Sequence, residues 1–277
     1  MSNIKQTIMA AAATMAFITT AQADGLSDSL PLGKSLAAGQ ELPLPLGISA
    51  NVFFMEQDMK AQSTVISADA LGLPPSHADV GKIESRATST TMKLDAWLLP
   101  FLNIYAVAGY VDGETTANDF SIPTLTLPQG VNLPPLFTLP YNGPVYGGGV
   151  TLAAGYNQFF ASVDANYTES DLDIGDSTIE AFVISPRVGI TGELGGLNGS
   201  LYVGAMYQDV DENQNGPASI SLGGQSVPVH YEVISQAEDE WNYLVGANLK
   251  AGESWNYGIE VGFSKRTHVM ATLNYRF

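Results

Sequence analysis

Lys93, Asp95, Asp164, Arg187 and Glu260 are charged residues in stretches where apolar side chains recur at every second position, and each falls on the stripe opposite the apolar one. Charges of both signs facing one interior can pair as a salt-bridged plug, ring a small pore and choose among ions, or supply acid and base for catalysis. These five sum to −1, so a nearly compensated network across a narrow lumen is the leading expectation, ahead of a selectivity constriction and then catalysis.

Two other constellations bear on chemistry. Asp211, Asn213 and Asn215, followed by Gly216, fit the first positions of a calcium loop of the form D-x-[DN]-x-[DN]-G. The acid expected at the twelfth position is Leu222, so a bound Ca²⁺ in an outer loop is the weaker expectation and no other cofactor is expected. The three histidines, His77, His230 and His268, share no i, i+2 or i, i+4 spacing, so no zinc pair forms. His268 near Ser264 is a base beside a hydroxyl, and it carries the remote alternative of a membrane-embedded hydrolase.

These residues are positioned by period-two alternation. Val269, Ala271, Leu273, Tyr275 and Phe277 share one face of the last run, with Met270, Thr272, Asn274 and Arg276 behind them. Trp255 to Phe263, Trp241 to Leu249 and Phe159 to Tyr167 repeat the pattern. Runs of about 10 residues of this kind are the signature of tilted membrane barrel strands. Ten are expected, near 47–57, 86–98, 103–112, 145–156, 158–170, 178–191, 199–210, 238–250, 255–264 and 268–277. A hairpin on Gly223-Gly224, flanked by 219–222 and 227–231, raises the count to twelve as the alternative. The connections alternate. Segments 58–85, 113–144 and 211–237 are long and are expected as outer loops, while 100–101, 157 and 251–254 are short turns. Strand four is thin on its inner face, with Gly147, Gly149, Thr151, Ala153 and Gly155, which leaves room for a large neighbour, an inserted loop or water.

Composition agrees. Of 277 residues 45% are apolar and only 14% charged, well below the quarter of an average soluble domain. The formal charge of −17 excludes a chain that neutralises nucleic-acid phosphates. With no Cys there is no disulfide, thiolate metal site or Cys nucleophile. Residues 1–23 read as a cleaved secretory signal: Lys5, an apolar run from Ile8 to Ile18, then Ala21-Gln22-Ala23 before Asp24. Residues 24–46 read as an irregular extension, and 47–277 as the barrel. Aromatic residues gather near both ends of the expected strands, as amphipathic rings do at a bilayer's two interfaces.

The ending Leu273-Asn274-Tyr275-Arg276-Phe277, aromatic at its terminus and apolar at alternate positions, resembles the C-terminal signal of Gram-negative outer-membrane β-barrels, of a porin-like or transporter-like class. The resemblance implies an all-β antiparallel transmembrane barrel in the outer membrane, exported through the periplasm. It also implies Tyr275 and Phe277 as residues read by the barrel assembly machinery, and outer-membrane lipid and lipopolysaccharide as partners. The expected function is a narrow passive channel or transporter for small solutes. A closed structural or surface-interaction barrel with acidic outer loops is the alternative.

Overall fold

Strands that cross hydrocarbon must pair every backbone N–H and C=O with a neighbour, so such a sheet has to close on itself. The computed structural model of the chain describes residues 29–37, 42–123, 125, 133, 136–175 and 177–277. The expected signal segment lies outside them, and of the expected N-terminal extension only 29–37 and 42–46 lie within them. The described residues form twelve strands: β1 (Leu46–Ala68), β2 (Leu73–His77), β3 (Ile83–Leu99), β4 (Leu102–Asn118), β5 (Leu136–Tyr156), β6 (Phe159–Leu172), β7 (Ser177–Leu194), β8 (Leu197–Leu222), β9 (Gln225–Ala237), β10 (Trp241–Ala251), β11 (Trp255–Phe263) and β12 (Arg266–Arg276).

All pairings are antiparallel, and they make two rings stacked on common strands. In the lower part β12 returns to β1, from Gly47↔Arg276 to Gln57↔Arg266. With β8 paired to β10 this closes ten strands. Above that level β10, β11 and β12 have ended. There β9 pairs β8 on one side and β1 on the other, from Met59↔Ala237 upward, and closes eight strands. The ten expected strands are therefore the lower ring, and the Gly223-Gly224 hairpin is the β8–β9 turn, both glycines at positive φ.

Within the expected outer loops 58–85, 113–144 and 211–237 most of the described residues are strand, which corrects the loop assignment. The reason is an inversion of the stripes. On β8 the outward residues Leu201, Val203, Ala205 and Tyr207 give way to Asp209, Asp211, Asn213 and Asn215, while the inward residues end in Ile220 and Leu222. On β5 the apolar residues point inward at Phe137, Leu139, Tyr141 and Val145, then outward from Tyr146. A sheet in lipid is apolar outside; the same sheet continued into water must be apolar inside. The switch marks the membrane surface. It falls in step around the ring, where an outward aromatic is followed two residues further out by an acid: Phe54 and Glu56, Tyr110 and Asp112, Tyr167 and Glu169, Tyr207 and Asp209, with Trp241 and Asp239 running the other way.

Below the switch the exterior is the lipid face that the alternation predicts. Val188, Val203 and Ile259 are more than half exposed, and Trp255, Leu273 and Tyr275 are also exposed. The girdles are packed laterally: Tyr207 meets Trp241 at 5.4 Å at the outer level, and Trp255 meets Tyr275 at 4.9 Å at the periplasmic level. Above the switch, Ile66, Leu139, Ile220, Tyr231 and Val233 fill the eight-stranded extension as a closed apolar core, with Phe120 stacked on Phe137 at 5.7 Å.

The membrane wall is interrupted between β7 and β8. The β7–β8 ladder skips Ser185 and Pro186 between Ile184↔Tyr207 and Arg187↔Gly204, because Pro186 has no N–H to offer. Gly204 lies opposite, where a Cβ would stand 2.5 Å from the Pro186 carbonyl.

Replacing Val203 with Arg puts a charge in mid-bilayer and should cost roughly 2–4 kcal/mol, whereas Asp209→Arg on the same stripe should stay within about 0.5 kcal/mol. Urea unfolding of the barrel in phospholipid vesicles separates the two; equal costs would place both residues on one side of the membrane surface.

Candidate functional site: the lumen chamber

Inside the ten-stranded ring lies a cavity of about 460 Å³, within the range of small-molecule pockets. Its lining is divided. Phe53, Met55, Val107, Val183, Met206 and Met270 supply an apolar wall, and Lys93, Asp164, Arg187 and Glu260 supply charge. Four of the five predicted lumen charges thus face one cavity. They do not form a single network, however; the five separate into three groups.

Asp95 lies toward the periplasmic end, where Arg276 Nη2 meets its carboxylate at 2.9 Å and Asn103 donates to it at 2.7 Å. Arg276 also binds the carbonyls of Leu44 and Pro45, tying the chain's entry into β1 to its end. In the second group Asp164 accepts from Tyr105 Oη at 2.8 Å, Thr151 at 2.6 Å and Asn166 at 3.1 Å, and Lys93 lies over the Tyr105 ring at 4.5 Å. Here the thin face of β5 finds its large neighbour: Tyr105 passes over Gly149, where a Cβ would be 2.6 Å from its hydroxyl. The third group is Arg187 with Glu260, bidentate at 2.8 and 3.2 Å, beside the ring of Tyr202. Breaking this buried pair from one side leaves an uncompensated charge, roughly 3–5 kcal/mol.

His268 is buried, 3.5 Å from Glu260 and 5.3 Å from the Phe53 ring centroid, and its ring lies on Gly262. Ser264 sits at the β11–β12 turn at φ 103°. The segment expected as a calcium loop is strand. Asp211, Asn213 and Asn215 are alternate outward residues of continuous β8, and extension at about 3.3 Å per residue spreads them over some 13 Å. Asp211 instead accepts from Gln236 at 2.6 Å. Among the described residues no group of three or more His, Asp or Glu could hold a metal. Tyr275 and Phe277 lie at the periplasmic girdle, their rings 6.1 Å apart, and the Phe277 backbone exchanges hydrogen bonds with Leu46 at the seam.

Two further inward charges belong beside these groups. Arg276 is legible in the sequence as an inner-stripe residue, but its pairing with Asp95 is not. Glu212, within the misread loop, is an inward residue at the chamber's outer end, buried, bonded by Thr115 at 2.9 Å and touched by Gln214. It lies five residues beyond Tyr207 of the outer girdle, above the membrane. Burial pushes its carboxyl up to about 7, against the weaker opposing pull of the Thr115 and Gln214 hydrogen bonds.

A closed antiparallel ring with an apolar outside, two aromatic girdles and a polar inside defines a transmembrane β-barrel of the outer-membrane kind. No family model matches the chain, and no curated protein matches it. Among solved structures it is similar to the β-domain of the Bordetella autotransporter BrkA (13% identity, 84% of this chain and 100% of that one, TM-score 0.39). It is also similar to the transport unit of the Escherichia coli autotransporter AIDA-I (9%, 91% and 98%, 0.39) and to the Ralstonia pickettii toluene transporter TbuX (11%, 89% and 94%, 0.30). At such scores the assignment rests on this barrel's own exterior.

Glu212 gives the extension a pH dependence. A carboxyl whose folded pKa is above its unfolded value binds its proton more tightly when folded, so its stabilisation is present at low pH and is lost as pH rises from about 4.5 through about 7. The loss should be on the order of 3 kcal/mol, read as faster amide exchange of β8 and β9 at pH 8 than at pH 5 after correction for the intrinsic rates. Glu212→Gln should flatten the profile; an unchanged slope would assign it to another group.

Proposed function

We propose that the protein is an outer-membrane transporter for small solutes, which pass by occupying the lumen chamber. The observation that carries this reading is the chamber itself. A ten-stranded ring has little more room than the eight strands whose interior side chains just fill, yet here Tyr105 and Tyr202 fold flat over Gly149 and Gly246 and leave about 460 Å³ free. The apolar core of the extension stands between this space and the outside, which favours gated passage over a steadily open pore. The same core favours a closed structural barrel as the second reading.

Planar-bilayer recording should give little steady current from the wild type. Vesicles containing the protein should take up small solutes faster than empty ones, and Ala181→Trp, which fills the chamber from β7, should lower uptake at least several-fold. Uptake indifferent to Ala181→Trp would favour the structural barrel.

The outward acids just above the girdle support a further part of this reading, contact with lipopolysaccharide phosphates through divalent cations. EDTA should then lower the unfolding midpoint in lipopolysaccharide bilayers and leave it unchanged in zwitterionic ones.

A further inference from the structure

We infer that the chamber takes a small amphipathic carboxylate, its apolar body against the methionine-rich wall and its head on the unpartnered edge of Arg266. This rests on the reading of the chamber as a solute site.

Arg266 stands at the shoulder where ten strands become eight. It is 2% exposed and lies on the inward stripe of β12; it stands off the cavity lining itself and meets that lining through Gln57, which accepts from its Nη1. Its backbone is fixed, because Asn242 donates to its carbonyl at 2.6 Å and accepts from its N–H at 3.3 Å. Its Nη1 donates to Gln57 at 3.1 Å, but Nε and Nη2 have no partner among the described residues. The other inward arginines, Arg187 and Arg276, both hold carboxylates. Buried arginine without an anion is costly, and an unsatisfied buried group calls for a partner.

The free atoms are the side-on pair of the guanidinium, two parallel N–H groups whose spacing matches the two oxygens of a carboxylate. Nearby donors are underused in the same sense. The amide of Gln57, which lines the cavity, donates to the thioether of Met59 at 3.2 Å, and that of Gln208 to the thioether of Met55 at 4.0 Å. Sulfur is a weak acceptor, so both amides can turn toward an oxygen at little cost. Donors in surplus, a guanidinium without a counter-charge and an apolar wall together describe the complement of a carboxylate with a hydrocarbon body.

The test uses the full barrel in nanodiscs and two probes, 3-phenylpropanoate and its neutral isostere 3-phenylpropanamide, with binding followed by calorimetry. The wild type should bind the carboxylate at least about ten-fold more tightly than the amide. Arg266→Met should bind both alike, and it should melt higher than the wild type without ligand, since it removes an uncompensated charge. Arg266→Lys, which keeps the charge but not the fork, should keep only part of the preference. Equal binding of the two probes by the wild type, or a preference that survives Arg266→Met, overturns the assignment and leaves the chamber standing. Binding of neither probe overturns it as well, and uptake insensitive to Ala181→Trp would then remove the chamber reading itself.

Discussion

Closure of β1 on β12 is the contact on which the molecule depends. Within hydrocarbon an unpaired amide finds no water, so one open edge would expose a row of unsatisfied groups, each costing several kcal/mol. Gly47 to Gln57 lie opposite Arg276 to Arg266, and the backbones of Leu46 and Phe277 bond each other in both directions at the periplasmic end. The first and last strands thus supply each other's missing neighbour. Arg276 reinforces the seam from inside by holding Asp95 of β3 together with the carbonyls of Leu44 and Pro45.

Closure then dictates what the side chains can do. A ring has one outside and one inside, and period-two alternation assigns each residue to one of them without choice. The inward charges are therefore confined with one another, and their pairing follows from reach. Asp95 and Arg276 meet across β1, Tyr105 crosses one thin strand to reach Asp164, and Arg187 reaches over β8 and β10 to Glu260. Arg266 is the exception because it sits where the three short strands stop, out of range of those acids.

The membrane part of the fold was legible in the sequence because both of its signals coincide there: apolar residues at alternate positions and aromatic rings at their ends. The extension was not. From Asp211 to Asn215 both stripes of β8 are polar, since the inward residues are Glu212 and Gln214, so no period stands out although the strand runs on unbroken. The same polar run imitates a calcium loop. The lumen charges could be placed by parity alone, but their partition into three groups could not, because it depends on strand registers that side-chain alternation does not encode. Arg266 was hidden beside the β11–β12 turn; its parity with Met270 and Thr272 was the available signal.

The step from ten strands to eight links these features. Each strand removed narrows a barrel, so the extension can be filled by side chains such as Phe137, Ile220 and Tyr231, while the wider ring below cannot be filled to the same degree by residues of ordinary size. Most of the cavity wall lies on the wide side of that step, and Arg266, with two unpartnered guanidinium nitrogens, lies at the step itself. A plain ten-stranded cylinder of this composition would have neither a reason for an apolar cap nor a shoulder in which an arginine could be buried without its acid. Space and unpaired charge arise from one topological event, the insertion of β9 between β8 and β1.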